Sequence, residues 1–132
     1  MAQSSSRPLS PHLSVYKMHP GMIMSGLHRI TGMALVVGLV LLTWWLIAAA
    51  VGPDAFAKVQ WLLGSWIGKL ALLGWTFSLF YHFGTGLRHL CFDMGLFLTN
   101  EGAIRAGWTC VVFALAGTGL VWTIGCAVLY VK

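Results

Sequence analysis

Apolar positions along the chain gather into three long stretches divided by short polar breaks. Nothing is charged between Arg29 and Asp54, so residues 30–51 suffice for a membrane-crossing helix, which takes about 20 apolar residues. Between Lys69 and Arg88 lie 18 uncharged residues. Trp66, Ile67 and Gly68 lengthen that run, with Lys69 reaching back to the interface, and make a second span. Arg105 and Lys132 bracket 26 more uncharged residues, the third. The pattern predicts an all-α membrane protein with three transmembrane helices at about 29–51, 64–90 and 106–131. Gly52-Pro53-Asp54 should end the first, and Asn100-Glu101-Gly102 should lie in the link before the third. Residues 1–27 form a polar N-terminal segment, irregular as far as Pro20, whose shape depends on a partner. The first span is too long and starts too late for a signal peptide.

Composition supports the same class. Of 132 residues, 58% are hydrophobic and only 8% charged, against about 25% in soluble domains. That excludes a soluble domain and a disordered chain, and leaves no room for a soluble catalytic domain of ordinary size. Chemistry must therefore sit in or beside the bilayer, or be shared with other chains. The net charge of +5 is dispersed and forms no basic patch, so nucleic acid is not an expected partner. The positives instead set orientation. Arg7, Lys17, Arg29, Arg88 and Arg105 fall on one side, and Lys58, Lys69 and Lys132 on the other. This predicts an N-terminus in the cytoplasm of a bacterium, or in the matrix of a mitochondrion. Trp44, Trp45, Trp61, Trp66, Trp108 and Trp122 sit mostly near span ends, as an interfacial belt does. Cys91, Cys110 and Cys126 form neither a disulfide framework nor a zinc motif and read as packing residues.

Ionisable residues inside or near a span are costly to keep there and are the first functional suspects. His82, Arg88, His89 and Asp93 line the end of the second helix. His82 and His89, seven residues apart, share a face about 10 Å apart along the axis, with Gly86 between them. A histidine, a gap without a side chain and a second histidine make a suitable wall for a flat cofactor such as haem. His82 lies about 9 Å inside Arg88, where a neutral imidazole can ligate iron. Arg88 and His89 sit nearer the interface, where propionates want positive partners. The spacing also allows a plain interhelical hydrogen-bonding residue, a proton relay or another metal. The two histidines are too far apart to ligate one iron, so a second axial ligand would come from another subunit. Ser25, His28, Arg29 and Thr31 form a second group at the start of the first helix, on the same membrane side. Ser25 and Arg29 are four apart and can together hydrogen-bond a carbonyl oxygen; equally, Arg29 can be an orienting charge and Ser25 a cap.

Three segments carry a family resemblance: R-P-L-S-P-H-L-S-V-Y at 7–16, S-G-L-H-R-I-T-G at 25–32 and H-F-G-T-G-L-R-H-L-C-F-D at 82–93. The chain resembles the cytochrome b subunit of succinate dehydrogenase, the larger membrane anchor of respiratory complex II. The resemblance covers essentially the whole chain and implies a place in a multi-subunit helical bundle. It implies that His82 is an axial ligand of haem b, the other coming from a second membrane-anchor subunit. It implies that Ser25 and Arg29 line the ubiquinone site beside the iron–sulfur subunit, with a flavoprotein subunit oxidising succinate beyond it. His28, Arg88 and His89 match positions near the haem propionates or the interface. Thr31 and Asp93 match motif positions without a firm role, Asp93 being structural or proton-related. Such a chain is an enzyme only as a subunit of the complex. Two other readings remain: the anchor of a quinol:fumarate reductase, and a cofactor-free structural anchor. The start at Met1 without a transit peptide points to a bacterial inner membrane.

Overall fold

The computed structural model describes residues 15–130, all of whose regular elements are helices. They are α1 (Pro20–Val51), α2 (Pro53–Gly64), α3 (Trp66–Asp93) and α4 (Asn100–Tyr130). Pro20 opens α1, in the first turn where a missing N–H costs nothing. Helix thus reaches back into the stretch expected to precede the first span; residues 1–14 lie outside the described part. Gly52, at φ +140°, ends α1 as expected, and Pro53 starts a helix of 12 residues that the apolar pattern does not foretell. Ser65 caps α3 by accepting the Gly68 N–H at 3.1 Å. A side chain at Gly68 would run into the carbonyls of Leu62 and Leu63, so the sharp turn from α2 to α3 needs glycine there. Asn100-Glu101-Gly102 is the first turn of α4, not part of the link. Thr99 holds it by accepting the Gly102 N–H at 3.1 Å.

Among the described residues two helices, α1 and α4, are long and apolar enough to cross a membrane. The pair α2–α3 meets the same standard only together and is bent by 78°, so the crossings number two, or three if the pair is one span. Lys69 at its start, the polar residues His82, Arg88, His89 and Asp93 toward its end, and its glycines and hydroxyl side chains thin the apolar content of α3.

Helix α3 is the centre of the bundle and runs antiparallel to both α1 and α4. Its face toward α1 carries Trp75 against Gly38, Tyr81 against Met24, and His82 against Gly32. Its face toward α4 follows a spacing of four. Trp122 donates to Thr76 at 3.4 Å, Phe80 covers Gly117, Gly84 receives Cys110 and Phe113, and Arg88 donates to Ala103 O at 2.8 Å. Glycines at the crossings let the helices approach closely, as packing inside a bilayer requires. Few side chains are buried; Met33, Val36, Val37 and Val40 of α1 are all more than 60% exposed, an outer face suited to lipid or to neighbouring subunits.

Candidate functional site

The N-terminal half of α1 and the C-terminal half of α3 bring three histidines together at one end of the bundle. The rings of His28 and His82 stack at 4.1 Å, inclined by only 6°. The His89 ring lies 5.1 Å from that of His28, tilted by 58°. Residues 54 or more positions apart in sequence thus form one cluster.

The hydrogen bonds around His82 assign its tautomer. Its Nδ1 lies 3.0 Å from the carbonyl oxygen of His28, which can only accept, so Nδ1 carries the proton. Thr31 Oγ1 is a weaker second neighbour at 3.4 Å. That hydroxyl directs its own proton to Leu27 O at 2.8 Å or His28 O at 2.9 Å. Nε2 of the neutral ring is left with its lone pair. A ring nitrogen donating to a backbone carbonyl while the other stays basic is the arrangement that orients histidine ligands of metals. Gly32 makes the room: a Cβ there would sit 3.0 Å from Cε1 of His82.

His28 is fixed from α3. Its Nδ1 is 2.6 Å from Thr85 Oγ1. Thr85, buried, back-bonds to Tyr81 O at 2.8 Å and to His82 O at 3.1 Å. With the hydroxyl proton so committed, His28 Nδ1 is the donor. Tyr81, also buried, donates to Met24 O at 3.2 Å and pins the first turns of α1 onto α3.

The other candidates separate into three positions. Ser25 and Arg29 share one exposed face of α1, within a turn of His28, with no side-chain hydrogen bond among the described residues. Arg88 turns away toward α4: besides its bond to Ala103 O, its guanidinium carbon lies 4.5 Å from the Phe92 ring centroid. Its buried Nε has no partner among the described residues. Asp93 is the last residue of α3, exposed and without an ion pair among the described residues. Gly86, read as the gap in a cofactor-facing wall, does face open space, with nothing within 4 Å of a built Cβ.

Sequence reasoning gave no role to Gly32, Tyr81 or Thr85. Gly32 and Thr85 stand inside the quoted motifs, and a threonine three residues after an intramembrane histidine is a signal that could have been read. Tyr81 carries no such mark.

The profile of the family described as succinate dehydrogenase/fumarate reductase transmembrane subunit matches residues 3–121. A succinate dehydrogenase cytochrome b556 subunit from Paracoccus denitrificans is 50% identical over 101 residues, 76% of this chain and 78% of the relative. One of the same name from Rickettsia felis is 35% identical over 118 residues, 89% of this chain and 92% of the relative. The mitochondrial inner membrane protein SHH3 of Saccharomyces cerevisiae is 36% identical over 124 residues, 89% of this chain and 61% of the relative. With most of its length matched by one profile and by relatives of one kind, the chain belongs to the succinate dehydrogenase/fumarate reductase transmembrane subunit family.

Proposed function

We propose that the chain is the haem b-binding membrane anchor of a succinate:ubiquinone oxidoreductase, and that it forms part of the ubiquinone site. The observation that carries this reading is the oriented His82. Its Nδ1–H is held by the His28 carbonyl, its ring is cleared by Gly32, and its Nε2 has no hydrogen-bond partner among the described residues. These residues fit a haem iron. His82 would ligate the iron through Nε2, and a second membrane-anchor subunit would supply another histidine. Haem b, when bound, supplies a reversible one-electron centre. His28 and His89, clustered with His82, would meet the propionates, and Arg88 would join them once its guanidinium left Ala103 O.

Ser25 and Arg29 act on the quinone. A hydroxyl and a guanidinium on one exposed turn hydrogen-bond a quinone carbonyl oxygen, and Arg29 favours the negative charge that reduction builds there. Their exposure leaves that face for the iron–sulfur subunit, through which electrons arrive from a flavoprotein that oxidises succinate. The chain holds no flavin or iron–sulfur motif, so it completes neither half-reaction alone. Three spans, α1, α3 and α4, set the anchor in a bacterial or mitochondrial inner membrane, and the positive charges put its N-terminus in the cytoplasm or matrix.

The test is a dithionite-reduced minus oxidised spectrum of the complex purified through this chain, for wild type and His82→Ala. The α and Soret bands of a b-type haem are expected in wild type and are lost or shifted in the variant. Bands unchanged in His82→Ala, or none in an intact wild-type complex, refute the ligand assignment.

A further inference from the structure

One side-chain bond at the start of α1 lies apart from the histidine cluster. Tyr16, four residues before the helix, donates its hydroxyl to Sδ of Met22. The chain entering α1 is thereby folded back on the first turn, where Met22 N and Ile23 N both bond to His19 O, at 2.9 Å and 3.3 Å. Met22 precedes Ser25 by three positions and Arg29 by seven, so the three share one stripe of the helix. All three are exposed. Gly26, four positions after Met22, adjoins that stripe, and a Cβ built there meets nothing within 4 Å. A thioether, a hydroxyl and a guanidinium thus follow one another beside a bare notch.

Ser25 and Arg29 account for a carbonyl oxygen but not for the flat ring that carries it. A ring seated over Gly26, with its carbonyl on that pair, meets Met22 next toward the start of α1. Met22 is about 4.5 Å from Ser25 along the axis. Thioethers make favourable contacts at ring edges. An exposed methionine nevertheless turns about three bonds and keeps no fixed place. The Tyr16 hydroxyl removes that freedom before a ligand arrives, and such preorganisation lowers the cost of binding.

Resting on the ubiquinone reading of Ser25 and Arg29, we propose that Tyr16 is a positioning residue of the quinone site. Its hydroxyl holds Met22 as the apolar rim against which the ring is seated, and it acts only through Met22. The test follows reduction of a short-chain ubiquinone by the purified complex, beside succinate oxidation by a soluble dye. Tyr16→Phe removes the hydroxyl and keeps the ring. It should raise KM for the quinone by about fivefold, the usual worth of a hydrogen bond, with the loss in KM and not in kcat. Dye reduction and haem bands should match wild type. Met22→Leu keeps the apolar bulk and removes the acceptor, so adding Tyr16→Phe in that background should raise KM no further. An unchanged KM in Tyr16→Phe overturns the proposal, as does an equal rise whether Met or Leu stands at position 22. Loss of dye reduction in Tyr16→Phe overturns it too, because the residue then serves assembly. Arg29→Ala separates two failures. If it impairs quinone reduction and Tyr16→Phe does not, only the positioning role falls; if neither variant does, the ubiquinone reading falls with it.

Discussion

Replacing Gly32 with alanine tests the His82 assignment without touching any polar group. The new methyl would lie 3.0 Å from Cε1 and 3.4 Å from Nδ1 of His82, whereas carbon contacts settle at about 3.5–4.0 Å. The ring must retreat by about 0.5 Å or more. The stacked His28 ring, 4.1 Å away, limits retreat in one direction. A shift of that size stretches the 3.0 Å bond from Nδ1 to the His28 carbonyl toward the limit of about 3.5 Å where it ceases to hold. Loss of such an outer partner lowers metal affinity by roughly 10–100-fold, about 1.4–2.7 kcal/mol. The helix itself gains, because alanine is better than glycine in a helix interior by about 1 kcal/mol. The two effects have opposite signs and different readouts. Haem titration into haem-depleted complex should show weakened binding, while thermal unfolding should show the complex undiminished. Gly119→Ala, where a Cβ meets nothing within 4 Å, should leave haem binding alone. Unchanged haem affinity in Gly32→Ala would falsify the claim that this glycine and the His28 carbonyl orient the ligand.

Arg29→Ala should lower quinone reduction by about 100-fold, as loss of a charged donor at a developing negative charge does, while succinate oxidation by a soluble dye persists; parallel loss of both activities would mark an assembly defect instead. Gly38→Ala should destabilise the complex by about 1–3 kcal/mol, since its methyl would fall on the Trp75 indole. Adding Trp75→Leu should recover most of that loss in thermal unfolding, and no recovery would mean the contact is not the cause. Tyr81→Phe removes the 3.2 Å bond to Met24 O and should cost about 0.6 kcal/mol, the usual worth of a hydrogen bond inside a membrane protein. A thermal midpoint equal to wild type would show that another group pins the start of α1.

Which parts were legible from sequence follows from the range of the forces involved. Helices α1, α3 and α4 show in the sequence because each carries a long charge-free apolar stretch, which the cost of a charge inside a bilayer makes legible. The end of α1 shows because Gly52-Pro53 is a local break. Helix α2 does not show: at 12 residues it is too short to span, and Asp54, Lys58 and Gln60 interrupt its apolar positions. The membership of the site was legible too, as His28, Thr31, His82 and His89 are motif residues and cluster. Their mutual arrangement was not. The stacking of His28 on His82 depends on the register between two helices, which notches at Gly32 and Gly38 set, and nothing local to either histidine encodes it. For the same reason the direction of Arg88 could not be read: neighbours on its own helix suggested the histidine cluster, but a carbonyl of α4 claims its guanidinium.

These registers divide α3 into two faces with different duties. Toward α4 the contacts in the middle of the face are steric, an aromatic over a glycine or a glycine under an aromatic, as at Phe80 on Gly117 and Gly84 beneath Phe113, with hydrogen bonds at Thr76 and Arg88 to either side. Toward α1 the contacts around His82 are polar, Tyr81, His82 and Thr85 all bonding to main-chain or side-chain groups of that helix, with the steric contact of Trp75 on Gly38 beyond them. A steric face fixes distance, whereas a polar face fixes rotation, because a hydrogen bond is lost when one helix turns against the other by a few tenths of an ångström at its rim. His82 needs both, since an axial ligand must be held in depth and in direction. A change on the α4 face, such as Gly117→Ala, where a Cβ would meet Phe80 at 2.8 Å, should therefore lower stability before it alters the haem spectrum. A change on the α1 face, such as Thr85→Val, should do the reverse, and a common response to the two would mean that α3 moves as one rigid piece and that the division is wrong.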